Sequence, residues 1–255
     1  MHSRLQSLLL KLRANVPAGL SERARTALAG YYAHCTALDD GVGDLLQTLR
    51  ETGLAANTLV VFTSDHGDLL GSQGGFNKQQ PYEESIRVPL LFRWPKALGP
   101  LGRQLDAPIC LEDIMPTILG LCRVPIPKTV EGIDSSGYLR GGQDPSDGAA
   151  LIGCSAPFGQ WERRHGGREY RGLRTHRYTY VRDLTGSWLL FDNQADPFQM
   201  RNLVNHPDHA SLRAELEATL ARKLKASGDE FLPAEAYIKK WGYTVNANGT
   251  VPYEP

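Results

Sequence analysis

The 255-residue sequence has no excess of either charge. Lys plus Arg and Asp plus Glu both count 28, so the formal net charge is zero. That balance argues against a nucleic-acid protein, which usually carries a basic excess. Long apolar runs are missing too, and none approaches the ~20 residues of a membrane span. The N-terminal run Leu8–Leu10 is short and soon broken by Lys11 and Arg13. It does not read as a signal-peptide core, and no compartment follows from it. Residues 1–20 read as structured or frayed chain of a larger fold. Cysteine is scarce. Cys35, Cys110, Cys122 and Cys154 form no CxxC pair, which leaves a zinc knuckle or a thioredoxin-type centre unsupported. Cys35, Cys110 and Cys122 lie among apolar neighbours, where a thiol behaves as a small hydrophobe. Nothing argues for a disulfide.

The remaining composition is that of a globular protein, with 41% hydrophobic and 22% charged residues. The length suffices for one large domain or two smaller ones. Ser21–Arg50 reads as a long helix. Ser21 is placed to cap it and Glu22 sits in the first turn, where negative charge is favoured. Leu28, Tyr31, Tyr32, Cys35, Leu38, Val42, Leu45, Leu46 and Leu49 recur at three- and four-residue steps and make one apolar face. Gly53 fits the position past its end. Asp39, Asp40 and Asp44 fall on the exposed side and read as solvated charge. His34 reads as packed or exposed.

Thr58–Thr63 is a short β-branched run that predicts a strand in a sheet covered on both faces. It ends on Asp65 and His66, followed by a loop containing Gly67, Gly71, Gly74 and Gly75 and then by Lys78. Ligand groups gather at strand carboxyl ends in open α/β sheets. Asp and His are both common metal ligands, and a lysine beside them suits an anionic substrate. Two readings stand from spacing alone: a metal pair with an anion-binding lysine, or a simple turn with solvated charges.

Arg87–Trp94 predicts a second strand, with Pro89 near its start. Lys96–Arg103 reads as a loop. Leu111–Leu121 reads as a helix whose Pro116 has to lie in a first turn. Composition shifts to Gly, Pro, Asp and Ser over 125–148, and a domain boundary is expected near Asp147, giving segments 1–146 and 147–255. Beyond it, Ala149–Cys154, Tyr170–Thr175, Tyr178–Arg182 and Ser187–Phe191 predict an antiparallel meander. An amphipathic helix follows at His209–Lys225. Asp192–Asn202 reads as a structural turn, the Arg-rich stretch 157–169 as a solvated surface loop, and the tail after Gly228 as chain wrapping the surface.

The run FTSDHGDLLGSQGGFNKQQPYEESIRVPLLFRWP resembles the second signature region of the sulfatases, in the alkaline phosphatase superfamily. YYAHCTALDDGVGDLL, EDIMPTILGL, VEGIDSSGYLRGG and RTHRYTYVRDLTGSWLLFDNQADPFQMRNLV resemble further parts of the same family. Relatives often carry His where this chain has Gln73, so Gln73 receives no role. The resemblance implies a fold class of α/β type: the second half of an alkaline-phosphatase-like mixed sheet with flanking helices, then a small antiparallel sheet with one helix. It implies one calcium ion held by Asp65 and His66, with Lys78 contacting the sulfate group of a sulfated small molecule or carbohydrate.

The same resemblance points to something absent. The family's nucleophile is a formylglycine made from Cys or Ser in a C/S-x-P-x-R motif, close to an Asp-Asp pair that completes the calcium site. None of the four cysteines begins such a motif, and no Ser-x-Pro-x-Arg occurs. Calcium takes six to eight oxygen ligands, so Asp65 and His66 are half a site. The expectation is the C-terminal half of a sulfuric ester hydrolase, inactive alone, with the missing N-terminal half as a partner. The alternatives are a phosphoester or phosphonate-ester hydrolase of the same superfamily, where zinc or manganese would suit the Asp-His pair, and a catalytically dead binding remnant or half of a split enzyme.

Overall fold

The computed structural model describes residues 21–246 and 251–252. Expectations for residues 1–20, and the capping role of the Ser21 side chain, lie outside what is described. The chain divides into two compact units. One takes in the described residues through Lys78 together with Glu84–Leu101, and the other Gln79–Glu83 together with the residues from Gly102 onward. Asp147 lies inside the second unit.

In the first unit, α1 (Ser21–Glu51) is the long helix the periodicity predicts. Gly53 has φ 72° and the Leu54 amide returns to the Leu49 carbonyl at 2.9 Å, closing the helix in a left-handed cap. The first turns are anchored. Ala24 is fully buried, and a Cβ added at Gly71 would sit 3.4 Å from its methyl. Beyond them the apolar face is open: Tyr31, Leu38 and Leu45 are 44%, 55% and 53% exposed. Cys35 is exposed as well, so its reading as a packed thiol is corrected, because nothing among the described residues covers that face. Gly30, Gly41 and Gly43 stand in the helix with no atom within 4 Å of an added Cβ. Each such glycine costs about 1 kcal/mol against alanine.

Strands β1 (Val60–Thr63) and β2 (Leu90–Arg93) pair antiparallel, Val60 opposite Arg93 and Thr63 opposite Leu90. Both are shorter than predicted. Arg87–Pro89 stay outside the ladder, preceded by a helical turn, α2 (Glu83–Ile86). The expected double-sided burial is corrected: Val60–Phe62 are half-buried and Leu91 is 56% exposed. Among the described residues the ribbon has two strands and two unpaired edges. A short turn of helix, α3 (Pro95–Leu98), follows.

In the second unit, a 3-10 turn at Leu111–Asp113 leads into α4 (Ile114–Cys122), so Pro116 falls in the first turn of the helix. Asp113 is buried and accepts the Cys110 amide at 2.8 Å and the Ile133 amide at 2.7 Å, tying the Gly-rich connection down. That connection carries a turn of helix of its own, α5 (Ser136–Leu139). Cys122 is exposed, a second correction among the thiols: it lies on the last residue of α4.

The predicted meander is present: β3 (Ala149–Cys154), β4 (Tyr170–Thr175), β5 (Tyr178–Asp183) and β6 (Gly186–Asp192), in that spatial order and all antiparallel. The predicted helix is α6 (Ala210–Ser227). Its Leu216, Leu220 and Leu224 bury against Leu173, Tyr180 and Leu190 on one sheet face. The other face packs Trp161, Tyr170, Val181, Leu189 and Phe191. Trp161 corrects the reading of 157–169 as a wholly solvated loop. Its indole is 6% exposed and stacks on Trp188 at 6.3 Å, and Arg163 pairs with the buried Glu169. The turn after β6 is structural, as expected. Asp192 holds Arg177 by two contacts of 3.0 Å and accepts the Gln194 and Ala195 amides. The tail adds an unforeseen helix, α7 (Ala234–Trp241), pinned by the buried Tyr237.

Candidate functional site

Strand β1 delivers Ser64, Asp65 and His66 at its carboxyl end. Ser64 Oγ donates to the His66 carbonyl at 2.8 Å, and the His66 amide donates to Asp65 Oδ1 at 3.0 Å. These short-range bonds fold the two donors toward one another. His66 Nδ1 lies 2.7 Å from the Gly67 carbonyl. A carbonyl only accepts, so Nδ1 carries a proton, and in the neutral tautomer with that proton Nε2 presents a lone pair. That nitrogen is 3.4 Å from Asp65 Oδ2. Two acceptors at this distance repel unless a proton or a cation lies between them. A backbone carbonyl on the far ring nitrogen is also the usual way a metal-binding histidine is oriented.

The Asp65 side chain is 82% exposed. Desolvation by neighbouring chain opposes its ionisation. A protonated His66 ring, the backbone amides of His66 and Asp65, and the Ser64 hydroxyl outweigh it and hold the carboxyl below its usual range. The pair therefore suits a hard cation as part of a larger ligand set. It does not make a whole calcium site, since no group of three or more His, Cys, Asp or Glu able to hold a metal occurs among the described residues.

The loop after His66 is held at its base. Gly67 donates to the Ser85 carbonyl at 2.9 Å. A Cβ there would lie 1.9 Å from the Glu84 carbonyl oxygen, so only glycine lets the two backbones approach. Asp68 Oδ1 accepts the Leu70 amide at 2.8 Å and the Asn77 amide at 3.0 Å. Leu69, fully buried, donates to the Asn77 carbonyl at 2.8 Å. Leu70, Gly71, Gln73, Gly74 and Asn77 all take positive φ, which winds the chain tightly and brings it back to Lys78. Lys78 is half-buried, and among the described residues its ammonium has no hydrogen-bond or ion-pair partner. Asp68 was not singled out in the sequence, and its role as a clasp depends on an amide nine residues away.

Neither Cys110 nor Cys154 is primed as a nucleophile. Burial, then the charges of Glu112 and Asp113, push Cys110 up to about 12, and burial pushes Cys154 up to about 11. Both stay protonated at neutral pH.

The family model described as "Sulfatase" matches residues 12–124, and that for "N-sulphoglucosamine sulphohydrolase, C-terminal" matches residues 71–226. The chain belongs to the sulfatase family. It is 40% identical over 247 residues to an ulvan-active sulfatase of Formosa agariphila, covering 96% of this chain and 48% of that protein. Among solved sulfatase-like structures, a protein in complex with its substrate D-glucosamine-2-N,6-O-disulfate superposes with a TM-score of 0.71 at 27% identity, over 88% of this chain and 46% of the other. A phosphonate monoester hydrolase of Agrobacterium radiobacter gives a TM-score of 0.67 at 27% identity, over 88% and 45%. This sulfatase-family chain thus spans about half the length of the curated relatives it matches. No helix among the described residues is long and apolar enough to cross a membrane.

Proposed function

We propose that this chain forms the sulfate-binding part of a sulfuric ester hydrolase acting on a sulfated carbohydrate. The observation that carries the reading is the Asp65–His66 pair, with Nε2 3.4 Å from Oδ2, joined by a clasped loop to Lys78, whose ammonium has no partner among the described residues. Asp65 and His66 are the ligands this chain offers to a calcium ion. Such an ion, when bound, supplies positive charge against the sulfate oxygens. Lys78 holds the sulfate group and offsets the negative charge that builds on it during sulfur–oxygen cleavage. The attacking oxygen, a formylglycine in this family, and the remaining calcium ligands come from residues this sequence does not contain. The composition boundary near Asp147 then separates the catalytic α/β domain from the small C-terminal one. The superposition on a disulfated glucosamine complex supports the carbohydrate class.

The phosphonate hydrolase likeness keeps a second ester class in the same test. The chain is completed with the family's N-terminal half and offered a 6-O-sulfated glucosamine and a phosphonate monoester. Sulfate release that stops on chelation and returns with calcium supports the reading. Faster turnover of the phosphonate ester, or sulfate release indifferent to chelation, contradicts it.

A further inference from the structure

Lys78 stands between two residues whose backbones take the left-handed region: Asn77 has φ 69° and Gln79 has φ 79°. Asparagine is among the residues enriched there, and glutamine is not. A side-chain-bearing residue keeps such a backbone where its surroundings over-determine it. On the Asn77 side the determining contacts are the backbone bonds to Asp68 and Leu69 described above. On the Gln79 side they are made by the side chain.

Gln79 Nε2 donates to the Phe158 carbonyl at 2.8 Å, and Gln79 Oε1 accepts the Phe158 amide at 3.1 Å. One side-chain amide thus pairs with both backbone groups of a residue 79 positions further along the chain. Phe158 lies three residues before the buried Trp161, which packs on the sheet. The residues after Gln79 have anchors of their own. Pro81 is fully buried, and the Tyr82 ring lies 6.1 Å from that of Phe191. The Glu83 amide donates to Gln199 Oε1 at 2.8 Å, and its carboxylate accepts Arg174 through two bonds of 2.6 and 2.9 Å. Gln79–Glu83 and all these partners belong to the second unit, whereas Lys78 belongs to the first. The chain therefore passes from one unit to the other at the peptide bond after Lys78. The contacts of 81–83 already tie the segment to the sheet. What the Gln79–Phe158 pair adds is a fixed backbone at the residue next to Lys78.

We propose that Gln79 is a positioning residue: by pairing with both backbone groups of Phe158 it fixes the turn after Lys78, and with it the direction in which the Lys78 side chain leaves the loop. The proposal rests on the sulfatase reading for the task of Lys78. Gln79 acts through Lys78 and is assigned no contact with the sulfate group. A lysine side chain is a point charge on a flexible four-carbon stem, so its reach is set by where its backbone stands. A misplacement of ~1 Å at a group that serves the transition state costs about 100-fold in rate.

The test substitutes Gln79→Gly, which accepts a positive φ without penalty and deletes both bonds. In the full 255-residue chain, hydrogen exchange at the Asn77 amide, which donates to Asp68, reports whether the turn around Lys78 has loosened. Exchange there should quicken about tenfold, the order of one or two lost hydrogen bonds, with the amides of β3–β6 as protected as in the parent. In the chain joined behind the family's N-terminal half, kcat for a 6-O-sulfated glucosamine should fall about tenfold or more. In a Lys78→Ala background the same substitution should change kcat by less than about twofold, because no ammonium is left to misplace. Gln79→Ala should act in the same direction, which separates the lost bonds from the flexibility of glycine. An Asn77 amide as protected as in the parent overturns the proposal, as does an equal fall in kcat with and without the Lys78 ammonium. A completed parent protein that releases no sulfate removes the sulfatase reading, and exchange at Asn77 then decides for or against Gln79 by itself.

Discussion

Gly67→Ala is the sharpest perturbation of the loop that carries the candidate site. Gly67 does not need glycine for its φ, since its backbone is not in the left-handed region. It needs glycine for space. The new methyl carbon would lie 1.9 Å from the Glu84 carbonyl oxygen and 2.9 Å from its carbon. Carbon–oxygen contacts sit at ~3.3–3.6 Å, so the two backbones have to part by about 1.4 Å. That separation breaks the 2.9 Å bond from Gly67 to Ser85. A lost hydrogen bond costs about 1 kcal/mol, and overpacking against a fixed neighbour costs about 1–3 kcal/mol. The sum, roughly 2–4 kcal/mol, is a factor of about 30 to 800 in the local equilibrium. Hydrogen exchange at the residue 67 amide should accelerate by that order, with β3–β6 unaffected. An amide as protected as in the parent protein would refute the argument.

Three further outcomes follow from the packing and the charges. Leu220→Ala, at the fully buried centre of α6 against the sheet, should cost about 2–5 kcal/mol in urea unfolding, and a loss under 1 kcal/mol would contradict that core. Asp68→Ala removes the acceptor shared by Leu70 and Asn77, so tryptic cleavage after Lys78 should quicken about tenfold or more, given ~1.5–3 kcal/mol per hydrogen bond to a charged group, while far-UV dichroism stays unchanged. Burial, then a hydrogen bond to Glu217, pushes Tyr180 up to about 12. An unfolded tyrosine ionises near pH 10, so the stability Tyr180 contributes is present below pH 10 and lost as pH rises toward 12. Tyr180→Phe should flatten the fall in stability across that window, and an unaltered slope would contradict the assignment.

Local patterns carried much of the fold. The β3–β6 meander was legible because apolar positions alternate and short polar turns separate the strands. Pro116 tolerates only a first turn, and α4 accordingly begins at Ile114, three residues after the expected start at Leu111, with a 3-10 turn filling the interval. The periodicity of α1 was legible as well, but the exposure of its apolar face was not, since a pattern names a face without naming what covers it. The same limit explains β1 and β2, whose apolar runs predicted burial. Trp161 was hidden among arginines and glycines, and its burial depends on Tyr170 and Trp188 from distant strands. At the site, Asp65, His66 and Lys78 could be named from their order along the chain. The orientation of the His66 ring and the Asp68 clasp needed three-dimensional contacts: a carbonyl at 2.7 Å and an amide nine residues on.

The central claim is that Lys78 and Asp65 serve the sulfate group. The most direct test is steady-state hydrolysis of a 6-O-sulfated glucosamine by the chain completed with the family's N-terminal half, parent against Lys78→Ala and Asp65→Ala. Removing one charge-stabilising group at a reacting centre costs about 100- to 1000-fold in kcat. Falls of that size in both variants, with unchanged unfolding curves, are the predicted result. A near-parental rate in either one would contradict the role given to that residue.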